Sequence, residues 1–443
     1  MRRPELDTLR TCALRRELHR FPGGVRADLA ALIPALGLVP GTDSFVLLEG
    51  EGWDSQVLAF DPEYTLTVED ASPFKELRRV LAPEGSTEAC PPAEGGSALF
   101  GYLSYDAARY LERLPTLAGN DLRLPIARFI MPRYAIGEGP TGVWASVPAG
   151  EDANFVLRAL QQATRLPDTA RRGALRVPGS SLGREGYLRA VEAVKEYVRA
   201  GDVFQVNISQ RFEVPFSGDP LALYGALRKR NPSPFGGMVS FTGFVAVSSS
   251  PERLVRLKGR RASTRPIAGT YPKGIGAALL LDPKERAEHA MIVDLERNDL
   301  GRSAAYGTVR VEEFMTTETY SHVVHIVSEV LGELALGRDA VDLLAGMFPG
   351  GTITGCPKVR CMEIVEELEP VRRGLYTGSF GYLSTNGSAM EMNIAIRTIL
   401  LNEGTAYAQA GGGVVADSVP AREYRESVAK AAALLECLGA RVP

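Results

Sequence analysis

Two short acidic repeats carry the clearest chemical signal in the chain. Glu285 and Glu288 lie three residues apart in DPKERAEHAMIVDLERNDLGR (residues 282–302), and Glu423 and Glu426 repeat the spacing in EYRESVAK (residues 423–430). Residues three apart share one face of a helix, so each repeat presents a carboxylate pair. Four carboxylates can hold a hard cation and leave acceptors to orient bound water. No thiolate or histidine pair accompanies them, so the expected ion is Mg²⁺ rather than Zn²⁺. Each pair also has an ordinary explanation. Asp282 can cap the first helix, Pro283 suits its first position, and Glu285 then completes a capping box. Glu288 fits a solvated face, and Glu426 with Lys430 reads as an i,i+4 ion pair worth roughly 0.2–0.5 kcal/mol.

Anion recognition has its own candidates. PGGTITGCPK (residues 349–358) leads into a helix, and its amides and hydroxyls suit an anion, although it lacks the spacing of a nucleotide phosphate loop. Gly411, Gly412 and Gly413 follow an apolar run, where glycine lets backbone approach a ligand closely. Gly269 and Thr270 lie in a third loop. Arg397 sits among apolar neighbours in IAIRTI, which the pattern places inside one strand over 392–400. A guanidinium there needs an anionic partner, either a carboxylate ligand or a buried ion pair.

The elements that position these groups can be read coarsely. Residues 1–165 hold short apolar runs broken by turn signals, as in an antiparallel sheet. Residues 166–183, rich in Gly, Pro and Arg, form the candidate linker, and residues 184–443 carry the chemistry. Within that second region, Met291, Ile292 and Leu295 mark the buried stripe of the first acidic helix. A loop is expected over 266–274, helices over 320–331, 340–347 and 358–368, and a last helix over 421–438. The whole chain has 443 residues, 45% of them hydrophobic, and a formal net charge of -3. This balance gives no signal for nucleic acid or an acidic membrane. No apolar run reaches membrane-spanning length, and the charged N-terminus lacks the apolar core of a signal peptide. The five cysteines lack metal-ligand spacing and read as reduced thiols of a cytoplasmic protein, and four histidines make a multi-histidine metal site an unlikely design.

Taken together, SSSPERLV, RPIAGT, KERAEHAMIVDLERNDLGR, YSHVVHIVS, PGGTITGCPKVR, YTGSFGYL, IAIRT, AGGGVVADS and EYRESVAK resemble the chorismate-utilising synthases. That group comprises anthranilate synthase large component, aminodeoxychorismate synthase component I, isochorismate synthase and salicylate synthase. The resemblance runs from about Gly183 to the C-terminus and more faintly through residues 1–150. It implies an α+β fold with large antiparallel sheets packed face to face and helices outside. It also implies Mg²⁺ ligation by Glu288 and Glu426, with Glu285 and Glu423 behind them. Tyr376, Arg397 and the Gly411–Gly413 amides match positions that hold the enolpyruvyl carboxylate, with Lys430 close by. Glu252 matches the acid that protonates the departing C4 hydroxyl. His325 matches a histidine near the ring, and Thr352 a ring-side hydroxyl.

Two positions bear on the product. Gln205 stands where water-using members of the family carry a lysine base. An amide cannot take a proton from water at neutral pH, which favours ammonia as nucleophile. Ammonia in turn implies a partner glutamine amidotransferase. Ala268 stands where aminodeoxychorismate synthases commonly carry a lysine, and alanine there is the anthranilate pattern. The surrounding TGSFGYLS, NIAIRT and triple glycine resemble aminodeoxychorismate synthase instead, and Gly50 replaces the serine expected of a tryptophan-inhibited enzyme. The sequence therefore leans to 4-amino-4-deoxychorismate on the p-aminobenzoate route, with anthranilate plus pyruvate as the alternative. A silent regulatory relative would have lost one of the acids, and Glu252, Glu288 and Glu426 are all present.

Overall fold

Side chains along a strand alternate between two faces, and here both faces are apolar. In Phe45–Glu49, Phe45 and Leu47 join one core while Val46 and Leu48 join another. Phe244–Ser250 divides the same way, Val245 and Val247 against Phe244 and Ala246. Strands of this kind must be covered on both sides. The computed structural model describes residues 16–21, 27–53, 56–81, 92, 96–139, 142–166, 176–272, 283–319 and 323–443, and it shows how the covering is done.

Two sheets diverge from the long antiparallel pair Gln56–Val68 and Ala127–Gly139. The first runs through Phe45–Glu49, Phe235–Phe241, Phe244–Ser250, Thr398–Asn402, Thr405–Val414 and Gln205–Pro215. The second runs through Ala98–Leu103, Ser379–Ser384, Ala389–Asn393, Arg253–Lys258, Arg261–Arg265 and Val323–Glu333. Val323–Glu333 also pairs with Ile267–Pro272 and, on its other edge, with Arg310–Thr319. The sheets face each other across an aromatic core, where Tyr102 of the second meets Phe241 and Phe244 of the first at ring separations of 6.0 and 5.5 Å. Helices Leu29–Ala35, Asn154–Gln162, Pro220–Arg230 and Pro420–Cys437 cover the outer face of the first sheet. Helices Pro73–Val80, Pro283–Gly301 and Ala340–Met347 cover that of the second. This is the expected α+β architecture. Strands from residues 1–165 lie inside both sheets, and residues 167–175 of the candidate linker lie outside the described residues. No helix among the described residues is long and apolar enough to cross a membrane. Cys356, Cys361 and Cys437 are free thiols, while Cys12 and Cys90 lie outside the described residues.

Several local expectations are corrected. Residues 323–333 form a strand, where a helix was expected over 320–331. Val323, Val327, Val330 and Leu334 fall at helical spacing, but the segment is paired along both edges and buried on both faces, which hides the two-residue period. The expected loop over 266–274 holds the strand Ile267–Pro272, bracketed by prolines that a strand tolerates at its ends. The triple glycine lies within the strand Thr405–Val414 rather than after it. The expected strand over 392–400 is two strands, Ala389–Asn393 and Thr398–Asn402, one in each sheet, and Arg397 turns the corner between them with φ 51°.

A second crossing lies beside the first. Phe244–Ser250 belongs to one sheet and Arg253–Lys258 to the other, so Pro251 and Glu252 bridge them. The two crossings are stitched together by Ser249 N to Arg397 O at 3.1 Å, Ile394 N to Glu252 O at 3.0 Å and Ser250 Oγ to Ile394 O at 2.6 Å. Arg253 anchors the bridge. Its guanidinium pairs with the buried Glu391 carboxylate at 2.9 Å, donates to Gly52 O at 3.0 Å and stacks on the Phe235 ring. Removing one member of a buried pair strands the other charge, at about 3–5 kcal/mol. Arg253→Ala is therefore expected to lower unfolding stability by that amount in denaturant titration, and Arg253→Met with Glu391→Leu to recover most of it.

Candidate active site

The crossings bring together residues that are far apart in the chain. Glu252 is buried, and its carboxyl meets the Ile267 amide and the Thr352 hydroxyl. Thr352 Oγ1 is itself buried and makes no hydrogen bond of good geometry, so its hold on the carboxyl is loose. Burial, then the nearby Glu296 carboxyl, push the Glu252 pKa up to about 8, against the lowering pull of Thr352, Ile267 and Lys430. At neutral pH Glu252 is thus a carboxylic acid with a proton to give.

Arg397 faces the same corner. Its guanidinium donates to the Lys430 carbonyl, and among the described residues no carboxylate lies within 4.0 Å of it. Burial lowers its pKa, while Tyr376 and Glu426 act to raise it. Among the described residues, the buried ion pair that could have explained this arginine is not formed. Tyr376 stands alongside, its phenol pushed up to about 12 mainly by burial, with Arg373, Arg397 and the Ser209 hydroxyl opposing and Glu369 adding to the rise. The turn holding Tyr376 is fixed by Thr377 N to Ala395 O at 2.9 Å and by Arg373, which pairs with Glu369 at 2.7 Å.

The glycines of the Thr405–Val414 strand divide by face. A Cβ at Gly411 would sit 2.2 Å from Ile208 O, and one at Gly413 would sit 2.0 Å from Nε2 of Gln205, whose side chain lies over it. A Cβ at Gly412 would lie 3.4 Å from Glu426 Oε1, 3.7 Å from Glu423 Oε2 and 3.7 Å from Lys430 Nζ. The start of the Pro420–Cys437 helix therefore stands over Gly412. Lys430 and Glu426 make the expected i,i+4 pair at 2.7 Å.

The Pro283–Gly301 helix presents Glu288 half-buried, while the side chain of Glu285 and Asp282, the expected cap, lie outside the described residues. Its buried stripe differs from the expected one. His289, Ile292, Val293, Glu296, Asp299 and Leu300 are buried, and Met291 and Leu295 only partly so. His289 Nε2 meets Ser328 Oγ at 2.7 Å, tying the helix to the sheet, and burial lowers its pKa to about 4. Glu296 accepts from Thr264 Oγ1 at 3.0 Å and from Gly351 N at 3.3 Å, so one amide of the 349–358 loop is spent on the protein's own carboxyl. Lys358 pairs with Asp299 at 2.6 Å. Sequence reasoning missed Glu296, Asp299 and Lys358 as neighbours of the site. The signal was present, since Glu296 is two turns beyond Glu288 on one helix face.

His325 is buried on the Val323–Glu333 strand, on the same face as Val327, which pairs with Ile267. Ala268 pairs with Ile326, and the side chains of Ala268, Gly269 and Thr270 lie outside the described residues. The carboxylates offer oxygen donors alone, the set a hard cation takes. Among the described residues, no three His, Cys, Asp or Glu side chains converge at metal-binding distance.

This geometry can be set beside known proteins. The profile of the chorismate binding enzyme family matches residues 43–436, which spans both crossings and both acidic helices. The chain belongs to that family. It is 46% identical over 391 residues to anthranilate synthase component 1 of Thermus thermophilus, covering 84% of this chain and 83% of the relative. It is also 46% identical over 368 residues to aminodeoxychorismate synthase component 1 of Bacillus subtilis, covering 79% and 78%. The crystal structure of anthranilate synthase component I from Streptococcus pneumoniae matches with a TM-score of 0.75 at 29% identity, over 94% of this chain and 99% of that one.

The glycine strand gives a direct check on this family member's geometry. Gly411→Ala is expected to disrupt the ladder to Gln205–Pro215 and lower the thermal midpoint, because its Cβ meets backbone that cannot yield. Gly412→Ala is expected to fold normally, since its neighbours are ends of flexible side chains, and to weaken binding of chorismate by isothermal calorimetry.

Proposed function

We propose that the chain aminates chorismate with ammonia, releasing the C4 hydroxyl as water, and that the product is anthranilate with pyruvate. The observation that carries the amination is the buried Glu252, its pKa raised to about 8, at the same crossing as an Arg397 that has no carboxylate within 4.0 Å among the described residues. One supplies a proton to a leaving hydroxyl, and the other awaits an anionic group of a ligand. In this reading ammonia adds at ring C2, the ring double bonds shift, and the C4–O bond breaks as Glu252 protonates the oxygen. Elimination of the enolpyruvyl group with loss of the C2 proton then gives pyruvate and the aromatic ring. Arg397, Tyr376 and the Gly411–Gly413 amides hold the enolpyruvyl carboxylate, with Lys430 close by. Thr352, Gly269 and Thr270 border the ring, and His325 stands near it.

Mg²⁺ held by Glu288 and Glu426, with Glu285 and Glu423 behind them, would neutralise the ring carboxylate and draw density from the ring. Gln205 offers no base for water, which supports ammonia as nucleophile. The component 1 names of the relatives support a partner glutamine amidotransferase as its source, and the free thiols support a cytoplasmic setting.

For the product, the names of the relatives shift the balance of the sequence reading from aminodeoxychorismate to anthranilate. Ala268 agrees with them, since it offers no amine to attack C2. The second reading, 4-amino-4-deoxychorismate, keeps the support of the Bacillus subtilis relative and of the TGSFGYLS segment.

Purified protein incubated with chorismate, Mg²⁺ and ammonium should yield fluorescent anthranilate and pyruvate with no second enzyme. A product that gives p-aminobenzoate only after a lyase is added would establish the second reading instead. Glu252→Gln should lower kcat by about 10²–10⁴-fold. In the wild type kcat should fall as pH rises through about 8, because the acid form of Glu252 is lost there. Glu288→Ala should remove the dependence on added Mg²⁺ together with most of the rate, and persistence of activity would overturn the metal assignment.

A further inference from the structure

The wall behind Glu252 holds more acid than the reaction uses. Glu252, Glu296 and Asp299 are buried, at 5%, 2% and 2% exposure. Glu252 meets Thr352 and the Ile267 amide, while Glu296 meets the Gly351 amide and the Thr264 hydroxyl. Gly351, which donates to Glu296, is followed by Thr352, which lies against the Glu252 carboxyl without a well-formed hydrogen bond, so the two carboxyls are neighbours along the turn Gly351–Ile353. The charges around them are few. Asp299 and Lys358 both act on Glu296, the first raising its pKa and the second lowering it. Lys358 pairs with Asp299 at 2.6 Å and donates to Pro349 O at 2.7 Å, and Arg302 also acts on Asp299. Lys430 approaches Glu252 from the other helix but is paired with Glu426. Among the described residues no cation lies within 4.0 Å of Glu252 or Glu296.

We propose that Glu296 is a positioning residue whose carboxylate keeps its neighbour Glu252 in the acid form. Two adjacent buried carboxyls without a cation of their own cannot both ionise. The negative charge settles on the member with the better donors. Glu296 has a hydroxyl and an amide in good geometry, whereas the Thr352 contact of Glu252 is loose. Burial raises both groups, and the Glu296 carboxyl adds to the rise of Glu252. The Glu296 charge acts to raise the pKa of Glu252, so removing that charge eases ionisation of Glu252. This role rests on the reading of Glu252 as the acid of the reaction.

The test follows the carbonyl stretch of the protonated Glu252 carboxyl in the resting protein by difference infrared titration, with Glu252→Gln assigning the band. In Glu296→Gln the band should disappear at a pH about one unit lower than in wild type. Thr264→Val, which frees Glu296 to take the proton, should move it the same way by less and serves if the first variant folds poorly. The descending limb of kcat/KM, with free ammonia held constant, should shift in parallel. A band and limb that stay at the wild-type pH in both folded variants would overturn the role of Glu296. A shifted band in a protein that does not aminate chorismate would sustain that role and sink the proposed function.

Discussion

Everything chemical in this protein depends on two chain segments that leave one sheet for the other side by side. Each crossing exposes a short stretch of backbone that cannot belong to either ladder. The stitching between Ser249, Ser250, Glu252 and Ile394, Arg397 supplies the lost hydrogen bonds. The Arg253–Glu391 pair then sets the angle of the bridge from which Glu252 projects. A corner of this sort needs partners on both sheets, so it exists only when both are assembled.

The corner is also where the fold concentrates unbalanced charge. Buried acids ordinarily come with a cation and full hydrogen bonding, because desolvation otherwise disfavours the charged form. Asp299 meets that standard through Lys358, and Glu369 through Arg373. Glu252 and Arg397, on adjoining crossings, have no such partner within 4.0 Å among the described residues. Groups left this way in an otherwise well-paired interior mark a place where a ligand completes the network.

Relatives with differently named products share this scaffold because the product turns on few atoms. Gln205 and Ala268 are the two positions that the sequence reading ties to the product. Gln205 is itself buried, with its side chain over Gly413.

The sequence by itself determined the acidic helices, with Pro283 and Pro420 opening them, and the family. It also marked Arg397 as a guanidinium needing an anion. These are local signals, written in helical spacing and in residues of one segment. It misplaced the Val323–Glu333 strand, because a strand paired on both edges loses its two-residue alternation and its valines fall at helical intervals. It read one strand through Arg397, because nothing within six residues says that the halves belong to different sheets. Glu296 drew no notice in the sequence, and only the packing of its helix against Thr264 and Gly351 made it a buried neighbour of Glu252. The protonation state of Glu252 belongs to the tertiary structure as well, since it arises from desolvation and from a carboxyl 44 positions away in the chain.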